Sequence, residues 1–143
     1  MSSTRQAIID RLRTDSVLTG LLGAGQDSIL VPGRLKADTP TPCIVVRSAS
    51  TIGSAGRLPH YQELWEMRVY YNPVSRAGGR WPEVDDVLAR VRDRLHNASL
   101  SVDDGTLWAF KWDGFQGADM WDYILEFYFR VTRFRAYRST SYS

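Results

Sequence analysis

Residues Met120 to Arg135, MWDYILEFYFRVTRFR, keep a spacing-of-two alternation for longer than any other stretch of the chain. Trp121, Tyr123, Leu125, Phe127, Phe129 and Val131 fall on one face of an extended segment, and that face is predicted to supply the core. The other face carries Asp122, Ile124, Glu126, Tyr128, Arg130, Thr132 and Phe134, a set too apolar and aromatic for an ordinary solvated surface. One strand of this length would span about 50 Å at about 3.3 Å per residue, whereas strands of about five or six residues are usual. The pattern therefore predicts a strand with two faces to cover, one by its own core and one by a partner. Ile124, Glu126, Tyr128, Arg130 and Phe134 are the expected subunit-interface residues.

A chain of 143 residues predicts one domain, 1–138, followed by a short tail, 139–143. With 43% apolar and 12% aromatic residues it can build a core without metals or disulfides. The lone Cys43, in the run PCIVV, reads as a buried, inert thiol. No apolar run approaches the roughly 18 residues that span a bilayer. Charge mixed into MSSTRQAIIDRL argues against a signal peptide, so synthesis in the cytoplasm is expected. The net charge of +2 hides an asymmetry: no acid follows Glu126, while Arg130, Arg133, Arg135 and Arg138 follow it. That stretch is +4 and the body before it −2.

Ser3 and Gln6 fit a capping box ahead of Ala7, Ile8 and Leu12, which predicts a first helix. Thr14, Asp15 and Ser16 offer a break and a new cap before Val17, Leu18, Leu21 and Leu22, and Gly20, Gly23 and Gly25 read as the stop. Short strands are predicted at Ile29–Val31 and 43–48, then at 61–71 and 107–112, with a short extended piece at Leu100–Val102. The Gly-rich connections 51–60 and 73–79 should project from the fold. Trp81 to His96 is an amphipathic helix about 24 Å long, with Pro82 and acids in its first turn, a stripe of Val84, Val87, Leu88, Val91 and Leu95, and an Asp86–Arg90 pair. The fold class expected from this order is α+β: a mainly antiparallel sheet with two α-helices packed on one face.

Catalysis needs convergent acids, bases or nucleophiles, and the chain offers none in a usable pattern. His60 and His96 lack metal-ligand partners at the right spacing, and Asp122 and Glu126 sit about 13 Å apart on an extended strand. Neither a catalytic site nor a cofactor is expected. The Arg-aromatic run from Arg130 to Arg138 could grip phosphates, but a mildly acidic body and the enrichment of Arg and Tyr at protein interfaces favour protein contact. Arg57, His60, Arg76, Arg133, Arg135 and Arg138 are the expected contacts to a partner or a lumen.

The whole layout resembles the tail terminator (tail completion) proteins of long-tailed bacteriophages. The carriers are the LTGLLG turn at Leu18–Gly23, ILVPGRL from Ile29 to Leu35, the proline-introduced TPCIVVRS, the strand LWEMRVYYN and the amphipathic helix from Trp81 to His96. The resemblance implies a structural virion protein that closes, usually as a homohexamer, into a ring on the head-proximal end of the tail tube. Such a ring ends tail growth, docks to a neck or head-completion protein, and lets DNA pass through its lumen without sequence recognition. It implies residence in the virion tail after assembly in the host cytoplasm, with the tail tube protein as a partner and no membrane. Two alternatives stay open: a head-tail connector subunit between portal and tail, and a small nucleic-acid-binding module.

Overall fold

The computed structural model describes residues 4–53, 61–72, 81–101 and 107–139. Two short helices, α1 (Thr4–Arg13) and α2 (Ser16–Leu21), precede a 3₁₀ turn at Gly25–Ser28. Strands β1 (Ile29–Leu30), β2 (Cys43–Gly53) and β3 (Tyr61–Tyr71) follow, then helix α3 (Trp81–Leu95). The chain continues through β4 (Ser99–Ser101), β5 (Leu107–Gln116), β6 (Met120–Asp122) and β7 (Phe127–Ser139). The strands join one sheet in the order β1-β2-β3-β7-β5-β4, with β6 added along β7. Every pairing is antiparallel except that of β1 with β2. The fold is α+β, as expected.

All three helices lie over one face of the sheet. Ile8, Ile9 and Leu12 of α1, Leu18 of α2 and the predicted Val84-to-Leu95 stripe of α3 pack onto Ile44, Val46, Met67, Val69, Phe110 and Phe134. The break at Asp15 is built as the sequence implies. Its carboxylate accepts from the amides of Val17 (3.0 Å) and Leu18 (3.2 Å), capping α2. The same group holds Arg90 (2.6 Å) and Arg94 (3.4 Å), which ties α2 to α3. Arg90, expected to pair with Asp86, is thus drawn across to another helix. The glycine stop differs from expectation. Gly20 lies inside α2, and Gly23 serves a close approach: a Cβ there would stand 2.8 Å from backbone atoms of Pro40 and Thr41, and its amide donates to the Pro42 carbonyl at 2.9 Å.

The long C-terminal element corrects the sequence reading twice. It is not one strand but a hairpin, β6–β7, whose four-residue turn covers Tyr123 to Glu126. Asp122 causes the break: its carboxylate accepts from the amides of Ile124 (2.9 Å) and Leu125 (3.0 Å), a local bond that competes with strand pairing. Glu126 then takes a left-handed conformation, φ 59°, and its amide donates to the Asp122 carbonyl at 2.8 Å. The second correction concerns the faces. The helix-covered core uses Phe134 and Ala136, whereas Phe127, Phe129 and Val131 point to the opposite side. There they form a smaller cluster with Cys43, Val45 and Tyr70, roofed by Leu30, Leu35 and Leu125. Cys43 is fully buried and its thiol pKa is pushed up to about 12, so the inert reading stands.

The margin of the sheet at β2 is only partly covered. β1 pairs only with Ile44 and Val45 of β2, and among the described residues no strand pairs with the outer edge of β2 from Val46 to Gly53.

Candidate functional site

Two surface features remain after the core is accounted for: the tip of the β6–β7 hairpin and the uncovered half of the sheet's outer face. On the tip, Tyr123 is 85% and Ile124 92% exposed, beside the partly exposed Met120 and Trp121. Single exposed apolar residues are ordinary; four together on one hairpin are not. The Asp122 carboxylate and the left-handed Glu126 define the turn at the tip. Burying Tyr123 and Ile124 against a partner would recover about 1.5–3 kcal/mol each.

The base of the hairpin is fixed by a polar and aromatic cluster. Arg130 bonds to Asp119, just before β6, and to Asp85 in the first turn of α3. Tyr71 donates to Asp119 at 3.4 Å, and burial first, then the Asp119 charge, raise the Tyr71 pKa. Tyr128 stacks on Tyr71 with ring centres 5.6 Å apart and meets the edge of Trp121 at 4.6 Å. Two of the expected interface residues, Tyr128 and Arg130, are therefore engaged inside the fold and hold the hairpin in place. Phe134 has no exposed surface at all, since it sits in the helix-covered core opposite Trp65; it is withdrawn from the interface set. Ile124 and Glu126 are exposed on the turn.

The outer face is organised around Glu66, buried in the middle of the sheet. Cross-strand register sets Arg47 of β2, Glu66 of β3 and Arg133 of β7 in one row. The carboxylate accepts from Arg68 at 2.9 Å and pairs with Arg47 at 3.4 Å and Arg133 at 3.7 Å. Arg135 lies one row further on, with Lys111 of β5 beside it in register. Arg133 and Arg135 were singled out in the sequence; Arg47, Arg68 and Lys111 were not. Only register could have found them, because they come from three different strands. Arg138 pairs in register with Trp108, and its side chain lies outside the described residues. Arg57, His60 and Arg76 also lie outside them.

Between the turn and the outer face runs an open cleft of about 290 Å³, lined by Gly33, Leu35, Val45, Arg68, Tyr70 and Leu125 among others. Asp122 is the one carboxylate in its lining, so no pair of acids converges there. Among the described residues no group of three or more His, Cys, Asp and Glu could hold a metal, and no helix is long and apolar enough to cross a membrane. The arrangement suits contact with macromolecules.

Comparison with known proteins agrees with a structural subunit of a larger particle. The family model for the tail completion protein gp17 matches residues 6–119, and the chain belongs to that family. It is accordingly a structural tail component of a phage-like virion and not an enzyme. A comparison with curated proteins finds no match. Among solved structures, a chain of the virion of a native gene transfer agent particle matches with TM-score 0.65 at 16% identity, over 95% of this chain and 94% of that one. A second solved chain matches with TM-score 0.52 at 12% identity, over 99% and 100%. At these identities the two structures speak for the fold.

Proposed function

We propose that the protein is a tail terminator, whose copies close into a ring on the head-proximal end of the tail tube and offer the other side of the ring to the neck. The observation that carries this reading is the exposed apolar hairpin tip in a member of a tail completion family. A ring needs a repeated contact between two different patches, and Tyr123 and Ile124, flanked by Glu126, supply one of them. Tyr128 and Arg130 position the tip. Arg57, His60, Arg76 and Arg138 are the residues assigned by this reading to contact with tube or neck.

Electron microscopy of purified protein mixed with tail tubes tests the reading. Ring density at one tube end is expected. Free tubes that grow and persist unchanged, with no ring in either sample, would overturn it. Crosslinking in virions separates this reading from a head-tail connector: a terminator crosslinks to the tube protein, a connector to the portal.

A further inference from the structure

We propose that the uncovered half of the outer sheet face contacts the phosphate backbone of duplex DNA. The face gathers Arg47, Arg68, Arg133, Arg135 and Lys111 from four adjacent strands, against three carboxylates: Glu66, Asp122, which lines the cleft with Arg47 and Arg68, and Asp113, two residues beyond Lys111 on β5. Five cations over three anions leave an excess of two positive charges. The guanidiniums are held but not hidden: the side chains of Arg47 and Arg133 stay 41% and 40% exposed while they share the buried Glu66. One carboxylate cannot neutralise three guanidiniums. Its effect is to spread them across the sheet, with Arg47 and Arg133 about 10 Å apart at two strand spacings. Arg135 stands about 7 Å from Arg133 along β7.

Charge balance selects the occupant. A second copy of the chain offers no match through its helix layer, because α1 and α3 with the Asp15 cap carry six arginines and six carboxylates. Nor is the face apolar enough to be sealed by a hydrophobic partner; its apolar half is already roofed by Leu30, Leu35 and Leu125. A polyanion with evenly repeated charge fits a flat cationic grid without needing a shaped pocket. Duplex DNA carries one charge per about 1.7 Å of its axis, and neutralising its phosphates releases counterions whatever the sequence.

Fluorescence anisotropy of a labelled duplex with the full chain, across a salt series, tests the inference. Wild-type protein should bind duplexes of unrelated sequence equally, with affinity falling as salt rises. The double variant Arg135→Gln/Lys111→Gln leaves the Glu66 cluster intact, and its log–log salt slope should be shallower by about 1.8, the value for two lost phosphate contacts. Adding Arg133→Gln should flatten the slope further, with a thermal melt confirming that this variant stays folded. No wild-type binding at low salt, or an unchanged slope in the double variant, overturns the inference. So does a double variant that keeps its DNA affinity and loses capture of an acidic tube or neck protein. The inference stands apart from ring closure: rings without DNA affinity sink it and leave the proposed function untouched.

Discussion

The two faces of the sheet divide the work of the molecule. The helix-covered face is closed: Phe110, Phe134, Met67 and the α3 stripe are buried to within a few per cent, and its charged groups are tied to one another across helices. The outer face is half closed, with a small apolar cluster under two loops and a cationic field beside it. β7 contributes to both, sending Phe134 and Ala136 inward and Phe129, Val131 and Arg133 outward. The contrast teaches that stability and recognition are separated by alternation along a single strand. A substitution one residue away should change which of the two is damaged.

The largest effect on stability should come from Phe134→Ala. It empties a fully buried site and should cost about 3–5 kcal/mol, read as a lowered urea midpoint. If that loss were small while assembly failed, the assignment of this face to stability would break. Asp15→Asn should cost less, about 2–3 kcal/mol, because it weakens both the α2 cap and the link to Arg90 and Arg94, whose guanidiniums are partly solvated. Burial tends to raise the Asp15 pKa, yet the Arg90 bond, the Leu18 and Val17 amides and the Arg90 charge together lower it below 3.8. A depressed carboxylate stabilises the fold above its unfolded pKa. The gap between wild type and Asp15→Asn should therefore be full near neutral pH and close as the pH falls through the lowered value. Gly23→Ala should cost about 1–3 kcal/mol, since the obstructing atoms belong to the Pro40–Thr41 backbone and cannot swing away. Ile124→Ser sharpens the comparison from the other side. Its effect on stability should stay within about 0.5 kcal/mol, while ring or tube-end density disappears from micrographs.

Local signals carried much of the fold. The α3 stripe, the Asp15 cap and the strands at 43–48 and 61–71 are formed where periodicity and capping put them. What stayed hidden was a competition that periodicity does not register. Alternation runs unbroken through Tyr123 and Ile124, and no glycine or proline marks a turn, yet the Asp122 side chain bonds the backbone and ends β6. A continuous strand would put its richer apolar side, Phe127, Phe129 and Val131, against the main core. The helices in fact chose the side bearing Phe134, which their bulk covers completely. The basic face was legible only in part for a different reason. Arg133 and Arg135 are neighbours in sequence, whereas Arg47, Arg68 and Lys111 join them only through strand register.

The margin of β2 from Val46 to Gly53 has a consequence for the protein before it meets any partner. Backbone amides and carbonyls along such an unmated border are a template for stacking one chain on the next, which is the beginning of a fibril. The irregularity between Ser48 and Ser50 and the charge of Arg47 both interrupt that template. Both features work against edge-to-edge stacking of free subunits.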